Sequence, residues 1–326
     1  MPGRSAPSTL PTDLSPMLAT PGALPADDDG WSYEVKWDGV RVLAFLEGGR
    51  TRLMSRNGND VSAAYPELAP LADQLGRRRV VLDGEVAAFR ADGLSDFGLI
   101  QSRMHVRSPS SGLVSSTPVR LMVFDLLHRG DTSLLDRPYD ERRRALADLD
   151  LVSDAWSVPP AIDGDGPTIL ASSQEQGLEG IVAKRRSSQY LSGRRSRDWL
   201  KIKNIRRTSV VIAGWTRGEG ARDGQVGALL LGVYGPSGFE YAGRVGTGFT
   251  TATLAMLQGR LDALRADAPP PFTTPVPRVD ARNAVWVRPE LVAEVDYTEW
   301  TRDGRLRHPA FKGLRDDYDP AQVTRE

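Results

Sequence analysis

Cysteine is absent from the 326 residues, histidine occurs three times, and lysine supplies only five of the 42 basic side chains. Without cysteine there is no disulfide, no thiolate-bound zinc and no thiol nucleophile. The histidines, His105, His128 and His308, are scattered, adjoin no partner suited to acid–base work and are too few for a histidine-rich metal centre. No apolar stretch approaches the roughly 18 residues that cross a bilayer, and the Pro-, Ser- and Ala-rich start, Met1 to Thr12, lacks the basic-then-apolar order of a secretion signal. The formal net charge is zero, so any polyanion partner has to meet a local patch rather than bulk positive charge. These features predict a soluble, cytoplasmic, monomeric protein with a flexible tail over residues 1–13 and enough chain for two domains.

Where arginine is the default cation, a retained lysine stands out. Arginine stays protonated in proteins, whereas a lysine amine can lose its proton and attack phosphorus or carbonyl carbon. Lys36 heads Lys36-Trp37-Asp38-Gly39-Val40-Arg41 and is the first candidate nucleophile.

Short apolar runs predict strands at Trp31 to Lys36, Val40 to Leu46, Leu53 to Ser55, Arg79 to Asp83, Glu85 to Phe89 and Val119 to Leu127, with a turn at Asn57-Gly58 and a joint at Gly84. Helical spacing predicts helices at Tyr65 to Leu75 and Arg137 to about Leu149, followed by a loop from Pro159 to Pro167. Glu179 to Lys184 and Trp199 to Lys203 read as strands flanking a segment dense in arginine. After Arg207 the texture changes to short strands separated by glycine turns, with one helix from Thr250 to Leu264, a pattern that suits a small barrel. The boundary is placed near Asn204 to Thr208, giving domains at 14–205 and 206–326. Gly243-Arg244-Val245-Gly246-Thr247-Gly248 reads as a turn and not a phosphate loop, because no Gly-Lys-Ser/Thr ending follows. Asp27-Asp28-Asp29 reads as a solvated turn.

Five further runs accompany the lysine motif: Ser55-Arg56-Asn57-Gly58, Asp83-Gly84-Glu85, Phe124-Asp125-Leu126-Leu127, Glu179-Gly180-Ile181-Val182-Ala183-Lys184 and Trp199-Leu200-Lys201-Ile202-Lys203. In this order and spacing the chain resembles the covalent nucleotidyltransferases. It is most similar to the bacterial ATP-dependent DNA ligases, in particular the ligase module of the non-homologous end-joining type. The resemblance runs from Leu14-Ser15-Pro16-Met17-Leu18-Ala19 to the C-terminus. It implies an α+β fold, an adenylation domain of antiparallel sheets with helices, followed by an OB-fold domain.

The resemblance also implies roles. Lys36 takes AMP from ATP, Lys201 and Lys203 stabilise charge on the phosphoryl oxygens, and Glu85 and Glu179 serve Mg2+ or Mn2+, with Glu85 also near the ribose. Phe124 stacks on adenine, Glu34 lies near the adenine edge, and Arg41, Arg56 and Arg195 lie near ribose, phosphates or the break. Elementary chemistry fits these roles: an attacking amine must be neutral although free lysine titrates near 10.4, cations favour that form, and hard carboxylate oxygens suit Mg2+. Lys184 ends its motif and reads equally as a plain strand cation.

Near the C-terminus, Arg315 and Asp317 match an Arg-x-Asp-Lys motif that orients the pyrophosphate leaving group, but Tyr318 stands where lysine is expected. A phenol is neutral at pH 7 and cannot replace a cation. The departure predicts a working but weak first step: either Lys312 takes part of the charge's role, or self-adenylation is slow while sealing by preformed adenylate stays intact; because the motif lies in the second domain, the link near Asn204 to Thr208 is expected to be a hinge. Implied partners are nicked or broken duplex DNA, with an end-joining bridging factor and a polymerase on separate chains. RNA ligase or capping guanylyltransferase is the nearest enzymatic alternative, and an OB-type nucleic-acid-binding protein the non-enzymatic one. An NAD-dependent ligase is disfavoured by the missing cysteines and the length.

Overall fold

The computed structural model describes residues 10–76, 78–104, 106–218, 220 and 224–325. Two compact units divide the chain, the first ending at Asn204 and the second starting at Ile205. His105 and residues 1–9 of the expected tail lie outside the described residues. Leu10 is buried in a cluster with Met17, Leu43 and Phe45.

The first unit is built on two sheets. One has the order Arg50–Ser55, Val40–Glu47, Val80–Ala88, Val119–Arg129 and Thr132–Ser133, with Trp156–Ser157 paired in parallel to Val119–Arg129. The period of two along Val40–Glu47 divides its side chains between two cores. Val42, Ala44 and Leu46 pack beneath the sheet with Leu71, Ile100 and Leu146, while Leu43 and Phe45 face Met17, Tyr190 and Trp199. The second sheet has the order Leu18–Pro21, Arg195–Lys203, Gly180–Arg185 and Trp31–Val35. Its outer face, Trp31, Tyr33, Ile181 and Ala183, is covered by Ile169 and Leu170 of the helix Gly166–Glu175.

Several elements differ from expectation. Val80–Ala88 forms one strand through Gly84, where a Cβ would meet Leu121 and the Met122 carbonyl at 2.9 Å, so this glycine allows close strand approach instead of a turn. The helix expected over Tyr65 to Leu75 is split, because Pro66 and Pro70 restrict it to a single 3-10 turn at Pro66–Leu68 and a short helix at Leu71–Leu75. Helices at Phe97–Met104, Ser111–Ser116 and Gly166–Glu175 were not expected. The sheets are not wholly antiparallel, since Leu18–Pro21 runs parallel to Arg195–Lys203. That strand arrives from a remote part of the chain and is not tied by a hairpin turn, so nothing local dictates its direction.

The second unit carries a five-stranded antiparallel sheet of OB type, ordered Gly238–Val245, Val226–Gly235, Arg206–Arg217, Ala284–Tyr297 and Ala310–Leu314. The helix Thr251–Asp262, capped by the Thr250 hydroxyl, adds Leu257 and Leu261 to its core. Among the described residues no helix is long and apolar enough to cross a membrane.

Candidate active site

A cleft of about 230 Å3 lies between the two sheets of the first unit. It is lined by Glu34, Lys36, Arg41, Arg56, Glu85, Phe124, Arg195 and Lys201, all singled out from the sequence, and by Met17, Trp37, Lys184 and Trp199.

Backbone geometry explains the convergence. Lys36 follows its strand and donates its N–H to the Gly180 carbonyl at 3.0 Å, which brings the lysine beside Glu179. Gly180 has φ of 146°, and a Cβ there would meet the Ile202 carbonyl at 2.1 Å, so only glycine permits this strand spacing. Register then sets the rest of the wall: Lys203 lies opposite Gly180, Lys201 opposite Val182 and Trp199 opposite Lys184. Across the cleft Arg41 lies opposite Glu85, while Asp83 pairs with Asp125 and Gly84 with Val123. Phe124 is the extra residue between those pairs, and this bulge turns its ring towards the cleft.

Lys36 donates to Glu179 Oε2, and Lys203 Nζ lies 3.1 Å from Glu179 Oε1. Burial favours protonation of Glu179, but Lys36 and Lys203 outweigh it and hold the carboxyl below its usual range. Glu85 behaves differently. Burial raises its carboxyl to about 7 against the pull of Arg41 and Lys36. Lys201 is lowered by burial first and then by Lys36, Arg195 and Lys203, the signature of a crowded cationic wall.

Arg41 is fixed by a bidentate pair to the buried Asp83, at 2.5 and 2.6 Å, and Asp83 also accepts from Tyr190 Oη at 2.5 Å. Burial disfavours the guanidinium charge, yet Asp83 more than offsets it and keeps Arg41 charged. The Arg41 guanidinium carbon sits 4.4 Å from the Phe124 ring centroid and Lys184 Nζ 4.5 Å from it. The Phe124 ring is therefore flanked by two cations held by its negative π-face.

Sequence reasoning left Lys184 aside, but the structure places it in the cleft. Its side chain is 2% exposed, and its amine lies 2.6 Å from Glu34 Oε2 and 4.2 Å from the Trp199 ring centroid. Glu34 Oε1 meanwhile accepts from Tyr139 Oη at 2.5 Å. Glu34 thus lines the cleft with both oxygens engaged by the chain itself. Glu34 lies some 150 residues away in sequence from Lys184, so no local pattern reveals the pair; the scarcity of lysine was the available signal.

Arg315 lies in the second unit. It forms two 2.9 Å hydrogen bonds to Asp317, donates to Glu294 at 3.4 Å and stands 5.4 Å from the Tyr318 ring centroid. Among the described residues no group of three or more acidic or histidine side chains is arranged to hold a metal. Glu85 and Glu179 are the two carboxylates that would be offered to an ion such as Mg2+, which commonly takes one or two carboxylates and completes its shell with water and phosphate oxygens, and both Glu179 oxygens are paired with Lys36 and Lys203.

Comparison with known proteins gives the family. Residues 16–203 match the family model "ATP dependent DNA ligase domain", and residues 222–318 match "ATP dependent DNA ligase C terminal region". The multifunctional non-homologous end joining DNA repair protein LigD of Mycobacterium tuberculosis is 42% identical over 315 residues, 96% of this chain and 40% of that protein. The LigD of Pseudomonas aeruginosa is 36% identical over 322 residues, 97% of this chain and 37% of that protein. This chain therefore spans about two-fifths of the length of these curated relatives. The crystal structure of the ligase domain from M. tuberculosis LigD superposes with a TM-score of 0.56 at 42% identity, covering 97% of this chain and 99% of that one. A mycobacterial DNA ligase D complexed with ATP and MES superposes with the same TM-score at 41% identity, again covering 97% and 99%.

Proposed function

This chain belongs to the ATP-dependent DNA ligase family, and from that premise we propose that it seals 5′-phosphate/3′-hydroxyl breaks in duplex DNA through a lysyl-AMP intermediate. One observation carries the reading: the Lys36 amine enters a cleft whose walls supply Lys201, Arg56, Arg195 and Arg41 for phosphates, and it is hydrogen-bonded to the carboxylate of Glu179.

In the proposed sequence the Lys36 amine, having given up a proton, attacks the α-phosphorus of ATP; the N–P bond forms as the bond to pyrophosphate breaks. Glu179, hydrogen-bonded to that amine, is the group within reach to receive the proton. AMP then passes to the 5′-phosphate, restoring the amine, and the 3′-hydroxyl displaces AMP to close the strand. Splitting one difficult displacement into easier ones is the gain of covalent catalysis. Lys201 and Lys203 offset charge on the phosphoryl oxygens, and Phe124 gives adenine an apolar face. Glu34 and Lys184 form a pre-built polar end to the base site. Glu85 and Glu179 would hold Mg2+ or Mn2+, which when bound supplies further neutralisation of phosphate charge. Arg315 would meet the leaving pyrophosphate through movement at a hinge around Ile205, which stands 58% exposed between the buried Asn204 and Thr208.

The arginine-rich segment Arg185 to Arg207 is proposed to hold backbone phosphates beside the break, with affinity that falls as salt rises. Action in end joining, with a bridging factor and a polymerase on separate chains, is part of the same proposal. The direct test offers ATP, Mg2+ or Mn2+ and a duplex with one labelled 5′-phosphate nick, and follows joining on a denaturing gel. Joining that needs ATP and is lost in Lys36→Ala supports the reading; a parallel reaction with RNA ends in place of the DNA nick, joined when the DNA is not, would move it to the RNA ligases.

A further inference from the structure

Tyr190 lies between two of the sequence runs that mark the cleft, is 3% exposed and does not line the cleft itself. Its hydroxyl is nevertheless engaged on both sides by groups that shape the cleft. The proton goes to Asp83 Oδ2 at 2.5 Å, and the oxygen accepts the Met17 backbone N–H at 2.9 Å. Burial, and after it the charge of Asp83, raise the phenol well above its usual value, so the hydroxyl stays a donor. Asp83 Oδ2 also accepts from Arg41 Nη2 at 2.6 Å, while Oδ1 accepts from Arg41 Nε at 2.5 Å.

Three donors arriving from two residues leave the buried Asp83 carboxylate one orientation, and the fork then sets the plane of the guanidinium. Without the phenol, carboxylate and fork are free to turn together about the Asp83 side-chain bonds. Tyr190 itself is well fixed. Its N–H donates to the Leu135 carbonyl at 2.8 Å, its ring meets Trp199 edge-on at 5.7 Å, and the Arg142 guanidinium carbon sits 5.6 Å from its centroid. The residues after it clasp the N-terminal segment, since Gly193 N–H donates to the Ser15 carbonyl at 3.0 Å and Leu18 N–H to the Arg194 carbonyl at 2.8 Å. One hydroxyl therefore ties Met17, which leads into the second sheet, to Arg41 of the first, and both residues line the cleft.

We infer that Tyr190 is a positioning residue for nucleotide binding: its hydroxyl locks the Asp83–Arg41 fork against the N-terminal segment, so that the guanidinium meets the nucleotide in one set orientation. The inference rests on the proposed binding of ATP in the cleft and adds to it a group that acts only through Arg41.

The test is a double-variant cycle read by binding, without turnover. The full chain is titrated by calorimetry, with Mg2+ present, with an ATP analogue whose α- and β-phosphorus atoms are joined by a methylene group that Lys36 cannot displace. Tyr190→Phe removes one oxygen and keeps the ring packing, and Arg41→Lys keeps a charge against Asp83 but loses the planar fork. Each is expected to weaken binding about tenfold. Because Tyr190 acts through Arg41, the double variant is expected to bind within about twofold of Arg41→Lys alone. Tyr65→Phe, which takes a hydroxyl from an equally buried ring in the core beneath the first sheet, is expected to bind as the wild type does. Losses that multiply in the double variant, an unchanged affinity in Tyr190→Phe, or an equal loss in Tyr65→Phe would overturn the inference. A wild type that does not bind the analogue would sink the ATP reading, and this inference with it.

Discussion

Lys184 lies 2.6 Å from Glu34 and is closed in by the rings of Phe124 and Trp199, so one end of the cleft is a buried ion pair inside an aromatic wall. Removing one member leaves the other buried without its nearest counter-charge, with only Tyr139 and Arg143 still on Glu34, and breaking such a pair typically costs about 3–5 kcal/mol. Lys184→Met and Glu34→Gln are each expected to lower the unfolding free energy, measured by denaturant titration, by an amount in that range. The double variant should lose clearly less than their sum. Additive losses would show that the two side chains do not act as a pair.

Glu85 gives stability a pH dependence of unusual sign for a carboxylate. Its value rises from 4.5 to about 7 on folding, chiefly through burial. Folding therefore favours the protonated form; the contribution is complete below 4.5 and is lost as pH rises through about 7, a change on the order of 3 kcal/mol. Urea midpoints measured between these limits should fall for the wild type relative to Glu85→Gln. If the two profiles stay parallel, the burial of Glu85 has no such effect.

Lys203 shares Glu179 with Lys36 and flanks the phosphate wall. Its replacement by methionine should slow transfer of AMP to protein roughly a hundredfold, as for loss of one charge-stabilising group. Single-turnover labelling measures this directly, and an unchanged rate would remove Lys203 from the reaction.

Tyr318 stands beside Arg315 where the family resemblance leads one to expect lysine. Tyr318→Lys is expected to raise the rate of self-adenylation several-fold and to leave sealing of a pre-adenylated nick unchanged. A gain in both steps, or in neither, would show that the phenol is not the weak point of the first step.

Much of the site was legible in sequence because its residues sit in short contiguous runs. Lys36 to Arg41 and Lys201 to Lys203 each occupy one strand or turn, where spacing alone fixes the face. What stayed hidden depends on pairings across the chain. Nothing near Lys184 announces Glu34, and nothing near Arg41 announces that Asp83 and Tyr190 hold it. Gly84 misled because a glycine that admits a neighbouring strand looks the same in sequence as one that makes a turn. The helix Gly166–Glu175 was missed although its start is well marked, by the Asp165 cap and a proline in the first turn, since proline and glycine there read first as loop.

The central claim is that Lys36 carries AMP. Purified protein incubated with α-labelled ATP and Mg2+ or Mn2+, then denatured, should retain label on the wild type and none on Lys36→Ala, with the label mapping to the peptide containing Lys36. Label persisting on Lys36→Ala, or a wild type that joins nicks with ATP while never holding label, would contradict it.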